Sequence, residues 1–93
     1  MGLLFEYDPQ KSEKNKARHG IDFEQAQELW KIPHVLLPTR PVYGEKRSII
    51  VGKLAAQIYI AIFTHRASAI RLISCHRADE RWVREYERGS HET

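Results

Sequence analysis

The sequence has a single cysteine, no long apolar run and little glycine or proline, and each scarcity excludes a class of protein. Cys75 cannot form an internal disulfide and no signal peptide opens the chain, which together predict a protein of the reducing cytoplasm. The longest apolar run, Ile58 to Phe63, has six residues, whereas a membrane span needs about 20. With five glycines and four prolines, the 93 residues predict one globular domain, 1–93, with a frayed tail at about 89–93.

Motifs of several common enzyme classes are also lacking. The histidines and the one cysteine form no C-x-x-C or H-E-x-x-H spacing, so no metal site is predicted. No glycine-rich phosphate loop and no G-x-S-x-G motif occurs, and we expect no cofactor. Cys75 lies within a predicted strand, where it is expected to pack as a small apolar side chain. The remaining candidates for chemistry are cations and histidines.

The charge of the chain is unevenly distributed. Fifteen basic and twelve acidic residues give a formal net charge of +3. Residues 1–34 contain five basic and six acidic side chains, whereas residues 35–93 contain ten basic and six acidic ones. A basic face on a small domain is typical of a polyanion ligand, because Lys and Arg displace counterions from phosphates. The alternative is an ordinary solvated surface, and charge alone does not distinguish the two.

The N-terminal part of the chain predicts a short strand followed by a polar helix. Phe5 to Tyr7 alternates just enough for a short edge strand. Asp8 as N-cap predicts a helix over Pro9 to His19, and Gly20 ends it. The helix contains almost no apolar residue, so we expect it to lie across the surface. It would present its basic side chains there, namely Lys11, Lys14, Arg18 and His19.

A second helix, a sheet and a third helix complete the predicted order. Asp22 and Gln25 form a capping box, and the helix that follows is predicted to end at Pro33 after about three turns. Its buried stripe consists of Phe23, Ala26, Leu29 and Trp30. A Pro-interrupted edge segment and three antiparallel strands follow, at Val35 to Thr39, Arg47 to Val51, Gln57 to Thr64 and Ala69 to His76. Their connections are residues 52–56 and 65–68. A last helix of about Glu80 to Arg88 follows its N-cap Asp79, and the fold class is α+β.

Several cations lie on the last two strands. Because side chains alternate along a strand, one side of the last strand is predicted to carry Arg71, Ile73, Cys75 and Arg77. Arg71 is unusual within an apolar strand, since an unpaired arginine is rarely buried. It either faces a ligand or pairs with an acid such as Glu24 or Glu28, and periodicity leaves both open. With Arg66 and Arg77 it would line a single groove along one face of the sheet.

Two segments resemble a known family. They are FEYDPQKSEKNKARHGIDFEQA and IRLISCHRADERWVREYE, and the resemblance spans Phe5 to about Tyr86. The positions that carry it are Phe5-Glu6-Tyr7-Asp8-Pro9, Lys11, Asn15, His19-Gly20, Phe23, Ala26, Thr64, Arg66, Arg71-Leu72-Ile73-Ser74 and Arg77. On these residues the chain closely resembles the BrnT family, the toxins of bacterial type II toxin–antitoxin pairs. The resemblance implies a RelE-like fold with two N-terminal helices, a curved antiparallel sheet of three to four strands and a C-terminal helix.

The resemblance also implies an activity and a partner. Members of the family are ribonucleases, which implies metal-independent RNA cleavage by attack of the 2′-OH and consequent growth arrest. The implied partner is a BrnA-like antitoxin with a ribbon-helix-helix DNA-binding part, which covers the basic groove. Such pairs assemble as heterotetramers that repress their own operon, so DNA is met only through the antitoxin. No membrane partner is expected.

Residues of the resembling motifs form a hypothetical site. We expect Arg71 and Arg77 to clamp the scissile phosphate, Arg66 to follow the backbone, and His19 or Arg18 to close the site from the first helix. The catalytic candidates are Arg71, Arg77, His19 and Arg66. The candidates for RNA binding are Arg18, Lys11, His76 and Ser74. His19 has an alternative role as a cap on the last carbonyls of its helix.

Two positions depart from the family pattern, and two other functions stay open. Arg18 stands where the family usually has Lys, which keeps the charge. His76 stands at the first of two usually basic positions, and it is either a gained group titrating near neutrality or a lost phosphate clamp. The first alternative function is a non-catalytic module that binds RNA or an acidic partner. The second is a degenerate toxin that serves only as a corepressor.

Overall fold

Three helices and a five-stranded sheet make up the structure, a computed structural model that describes residues 2–90. The strands are β1 (Leu4–Glu6), β2 (His34–Pro38), β3 (Ser48–Leu54), β4 (Gln57–Arg66) and β5 (Ala69–Arg77). The helices are α1 (Pro9–His19), α2 (Phe23–Ala26) and α3 (Glu80–Ser90), and a 3₁₀ helix, Gln27–Lys31, follows α2. The predicted α+β class is confirmed. None of the helices within residues 2–90 is long and apolar enough to cross a membrane.

The boundaries of α1 follow from its caps, as predicted. The Asp8 carboxylate accepts a hydrogen bond from the Gln10 N–H at 2.9 Å, and Pro9 occupies the first turn without losing a bond. At the other end, Gly20 has a left-handed φ of 76° and donates its N–H to the Lys16 carbonyl at 2.9 Å. A side chain would strain this conformation, so Gly20 ends the helix and redirects the chain.

The second helix starts as predicted but winds differently beyond its first turn. The capping box forms, since Asp22 accepts from the Gln25 N–H at 2.7 Å and the Gln25 side chain accepts from the Asp22 N–H at 3.0 Å. The predicted three turns of α-helix are wrong, because Gln27–Lys31 is a 3₁₀ helix. Leu29, which is fully buried, and the adjacent Trp30 both pack toward the same core.

The sheet has five strands, whereas three to four were expected, and it is mixed and not purely antiparallel. Its order is β1-β5-β4-β3-β2, in which β1 runs parallel to β5 with Leu4 opposite Ala69 and Glu6 opposite Arg71. The other neighbours are antiparallel. Phe5 on β1 packs edge-on against Trp30, with ring centroids 5.1 Å apart. The short edge strand predicted at Phe5 to Tyr7 is present one residue earlier, as β1, whereas its parallel pairing with β5 was not predicted.

The β3–β4 and β4–β5 connections are two-residue turns, shorter than predicted. Ala55 and Ala56 both have positive φ, 49° and 70°, the backbone form that matches the twist of paired strands. The predicted connection began at Gly52, which instead lies buried within β3. A β-carbon on Gly52 would lie 3.0 Å from Leu29 Cδ2, so this glycine admits the 3₁₀ helix and does not mark a turn.

The sheet buries a different core on each face. The first core lies beneath α1, α2 and the 3₁₀ helix and includes Phe23, Leu29, Ile50 and Phe63. The second consists of Ile49, Val51 and Ile60 with the α3 residues Trp82 and Tyr86 packed against them. The helix α3 extends past its predicted end at Arg88, so Gly89 and Ser90 of the predicted frayed tail are helical. Residues 91–93 of that tail lie outside the described part.

Candidate active site

The helix α1 lies against an edge of β5 that carries no strand. The β1 ladder covers β5 only from Ala69 to Arg71, so the segment 72–77 is open on that side. Asn15 fills part of the gap, since its side-chain Nδ2 donates to the Cys75 carbonyl at 2.7 Å and its Oδ1 accepts from the Cys75 N–H at 3.3 Å. These are the bonds that a neighbouring strand would otherwise make.

Polar side chains, not apolar ones, hold α1 in place. Its two buried residues are Ser12 and Asn15, each 8% exposed. The Ser12 hydroxyl accepts from the Phe23 N–H at 2.9 Å, and Asn15 Nδ2 also donates to the Ile21 carbonyl at 2.8 Å. The polar face of α1 thus turns inward at these two residues, and its basic residues Lys11, Lys14 and Arg18 line the space beside β5.

That space is a cationic cleft, here named the α1–β5 cleft. Its wall from α1 consists of Lys11, Lys14, Asn15, Arg18 and His19. Its wall from β5 consists of Ile73, Ser74, His76 and Arg77, and Phe23 lines it as well. The part along Lys11 and Lys14 has a volume of about 250 Å³ and is open to solvent. None of these lining residues is acidic.

Two imidazoles meet at the end of the cleft. The rings of His19 and His76 have centroids 5.5 Å apart and are tilted by 44°. The pKa of His19 is lowered from its ordinary value because partial burial disfavours the charged imidazolium and because His76 and Arg18 lie close by. His76 Nδ1 lies 2.8 Å from the Arg77 carbonyl. Because a carbonyl oxygen can only accept, Nδ1 is the donor of this hydrogen bond, and Nε2 remains available to exchange a proton with a ligand.

The cations of the cleft are available to a ligand. Within residues 2–90, Lys11, Lys14, Arg18 and Arg77 form no ion pair and donate no side-chain hydrogen bond. Lys11 and Arg18 are seven residues apart on α1, roughly 10 Å along its axis. The cleft therefore offers a line of positive charge that ends beside two groups able to transfer protons.

The other two predicted catalytic arginines lie elsewhere. Arg66 Nη2 lies 3.9 Å from Glu45, and Arg71 Nη1 lies 3.9 Å from Glu6 on β1. The suggested partners of Arg71, Glu24 and Glu28, are wrong, because Glu6 becomes its neighbour through the parallel β1–β5 pairing. Neither arginine lines the α1–β5 cleft.

A β-bulge separates Arg71 from Arg77. Ile62 pairs with Ser74 and Phe63 with Leu72, which leaves Ile73 of β5 without a partner. The predicted alternation is therefore wrong, and Leu72 and Cys75 belong to the same core although they are three residues apart. Arg71, opposite Thr64, and Arg77, opposite Tyr59, end on different faces of the sheet, roughly 17 Å apart along β5.

The structure brings together six of the eight predicted site residues. His19, Arg18, Lys11, Ser74 and His76 line the cleft with Arg77, whereas Arg66 and Arg71 do not. Prediction from the residues missed the docking roles of Ser12 and Asn15. A signal was present, since a helix without an apolar stripe needs polar side chains at helical spacing to hold it.

Cys75 and the acidic residues supply no further reactive centre to the cleft. The Cys75 side chain is fully buried, as predicted, and burial together with Asp22 raises the pKa of its thiol to about 12. The thiol is therefore not a nucleophile in the folded chain. No cluster of three or more His, Cys, Asp or Glu side chains within residues 2–90 could hold a metal ion.

Comparison with known families identifies the family of the chain. Residues 7–81 match the family described as "Ribonuclease toxin, BrnT, of type II toxin-antitoxin system". The chain belongs to the BrnT family. The resemblance drawn from the sequence motifs is thereby confirmed, and with it a ribonuclease toxin of a type II system, a class that acts with an antitoxin partner. No curated protein matches the chain.

The segment that matches the BrnT family, residues 7–81, contains the whole cleft. It includes α1, α2, β2 to β5 and the first residues of α3, and it begins at Tyr7, just after β1. Every residue that lines the α1–β5 cleft lies inside it. The residues that identify the family therefore include those that form the cationic cleft.

Proposed function

We propose that the α1–β5 cleft is the active site of a metal-independent endoribonuclease that cleaves RNA by attack of the 2′-OH on the neighbouring phosphate. The observation that carries this proposal is the pair of imidazoles, 5.5 Å apart, next to four cations without carboxylate partners in the described chain. Imidazoles provide acid and base, and guanidinium and ammonium groups provide the charge that the phosphorane requires.

The two histidines divide the proton transfers. Because its pKa is lowered, His19 is neutral near pH 7 and accepts the proton of the 2′-OH as general base. His76 then protonates the leaving 5′ oxygen through Nε2, since Nδ1 is held by the Arg77 carbonyl. Two like charges at this separation disfavour each other, which opposes simultaneous protonation of both imidazoles.

Arginine and lysine side chains of the cleft bind the phosphates. Arg77 and Arg18 flank the two imidazoles and donate to the non-bridging oxygens of the scissile phosphate. Lys14 and Lys11 continue along α1 and bind the neighbouring backbone, and Ser74 adds a hydroxyl donor at the bulge. Arg66 and Arg71, each beside a carboxylate, have no part in this assignment.

The BrnT toxin is silenced by an antitoxin that covers the cleft. A BrnA-like partner with a ribbon-helix-helix part would assemble with it as a heterotetramer in the cytoplasm and would supply all contacts to operon DNA. The cleft favours an acidic inhibitory segment, because its lining includes four cations and no carboxylate. The RelE-like arrangement, with a curved sheet, is what the family resemblance implies for these three helices and five strands.

Incubation of the purified chain with RNA in the presence of EDTA tests this function. Cleavage is expected to continue without divalent ions, and His19→Gln or His76→Gln should each lower its rate by about 10²- to 10⁴-fold. His34→Gln is the matched control, because His34 also holds a backbone carbonyl through Nδ1, 2.7 Å from Ile32 O, but lies outside the cleft.

The same experiment separates the competing functions. Salt-dependent RNA binding without any cleavage would contradict the enzyme and indicate a binding module. A chain that neither binds nor cleaves RNA, yet increases operator binding by its antitoxin, would indicate a corepressor. Equal loss of activity in the control variant and in the two cleft variants would also contradict the assignment of the histidines.

A further inference from the structure

We propose that Asn15 is the positioning residue of this site, because it fixes the distance between His19 on α1 and His76 on β5. The inference rests on the proposed function of the cleft. Asn15 takes no part in the proton transfers themselves. It acts through the two backbone segments that carry the imidazoles.

The side chain of Asn15 is fully engaged. It is buried, and both protons of its amide are used, one by the Ile21 carbonyl at 2.8 Å and the other by the Cys75 carbonyl at 2.7 Å. Its oxygen accepts from the Cys75 N–H at 3.3 Å. One planar group therefore joins three parts of the chain, namely α1, the turn after it and the open edge of β5.

The position of these bonds in the sequence links them to the imidazoles. Asn15 lies one helical turn before His19, roughly 6 Å along the axis, and Cys75 directly precedes His76. Among residues 2–90, the bonds of Asn15 to Cys75 are the only hydrogen bonds or ion pairs between α1 and β5. The position of the His19 imidazole relative to that of His76 therefore depends on the Asn15 amide.

Ser12 provides a matched control for a merely structural role. It is the other buried polar residue of α1, equally exposed at 8%, and its hydroxyl fastens α1 to the start of α2 through the Phe23 N–H. If α1 only needs anchoring, Ser12→Ala and Asn15→Ala should have similar effects. If Asn15 sets the position of the imidazoles, only Asn15→Ala should change their interaction.

The test measures the interaction of the two imidazoles by NMR titration of their ring protons, with no RNA present. The charged or titratable groups that face His19 are His76 and Arg77 from β5 and Arg18 from its own helix. In the otherwise unchanged chain, His76→Gln is expected to raise the pKa of His19. In the Asn15→Ala chain, the same His76→Gln change is expected to leave the pKa of His19 where it was. In the Ser12→Ala chain, the effect of His76→Gln should persist.

Kinetics provide a second readout. Asn15→Ala is expected to lower kcat for RNA cleavage by about 10- to 100-fold with little change in KM, because misplacement of an acid–base pair affects the transition state more than binding. Ser12→Ala should retain kcat at temperatures where it remains folded. Should Asn15→Ala fail to fold, Asn15→Ser removes less volume, and its hydroxyl is too short to span both carbonyls, so it takes the place of Asn15→Ala.

The outcomes distinguish this inference from the proposed function. Persistence of the His76 effect on His19 in the Asn15 variant overturns the positioning role, even if the chain cleaves RNA. A lost interaction in both the Asn15 and the Ser12 variants also overturns it, because any anchor of α1 would then suffice. If the unsubstituted chain does not cleave RNA, the ribonuclease assignment fails, while the titrations still decide whether Asn15 places the imidazoles.

Discussion

At the scale of single residues, the site depends on side chains bonded to main-chain groups. Asn15 bonds the backbone of β5, Ser12 bonds the start of α2, and His76 bonds the carbonyl of the next residue. Within residues 2–90, every buried side-chain nitrogen and oxygen has a partner. Bonds of this kind fix both position and orientation, which apolar contacts do less strictly. The cleft thus combines an inner face fixed by these bonds with cations that form no ion pair within residues 2–90.

The lowered pKa of His19 predicts a pH-dependent stability. Below its ordinary value of 6.5, the unfolded chain binds a proton at this residue more readily than the folded chain does. Stability should therefore fall as the pH is lowered through this range, between about pH 7.5 and pH 5.5. His19→Gln is expected to reduce this fall in the thermal midpoint, measured by circular dichroism. An unchanged pH slope in His19→Gln would contradict the prediction.

At the scale of elements, local signals predict where the helices start, whereas long-range packing produces the features that the sequence did not predict. The caps Asp8 and Asp22 predicted the N-termini of α1 and α2, because each capping bond involves residues two or three apart. Gly52 was misread as a turn, since its space is required by Leu29 from a distant segment. The bulge at Ile73 had no signal either, because it arises from the pairing of two strands and not from one sequence.

The packing of α3 on the sheet provides an element-scale prediction. A β-carbon on Gly89 would overlap Val35 Cγ2 on β2, so this glycine permits a close approach of the two elements. Gly89→Ala is expected to destabilise the fold by about 1–3 kcal/mol through this overlap, despite the better helix propensity of alanine. The measurement is the free energy of unfolding in urea.

A second substitution in the same contact identifies the cause. In the Gly89→Ala chain, Val35→Ala makes room for the new methyl group and should recover part of the lost free energy. If Val35→Ala instead adds its full cost to that of Gly89→Ala, the two residues do not interact and the proposed overlap is wrong.

At the scale of the whole molecule, the topology divides cations that the sequence presented as one group. The motifs identified Arg66, Arg71 and Arg77 together, and periodicity placed the last two on one face. The parallel pairing of β1 with β5 gives Arg71 an acidic neighbour, Glu6, from the far end of the chain. The residue types of the site could therefore be predicted from sequence, whereas their partition between the cleft and the opposite end of the sheet required the fold.

This partition predicts how RNA binding depends on salt. Each phosphate that a cation neutralises on a single strand contributes about −0.7 to the slope of log affinity against log salt. Lys11→Gln with Arg77→Gln removes two free cations of the cleft and should reduce the slope by about 1.4. Arg66→Gln with Arg71→Gln removes the same formal charge, but these arginines lie beside Glu45 and Glu6 and should change the slope much less.

The measurement is fluorescence anisotropy with a 2′-O-methyl RNA oligonucleotide, which lacks the nucleophile and so remains intact during binding. Both double variants have the same net charge, so a general electrostatic effect would reduce the two slopes equally. Equal reductions would place phosphates at both ends of the sheet and contradict the assignment of the RNA to the cleft. A larger reduction for the Arg66 and Arg71 variant would move the binding site to the opposite end of β5. The larger reduction is expected for the Lys11 and Arg77 variant, because within the described chain these two cations have no carboxylate neighbour, whereas Arg66 and Arg71 do.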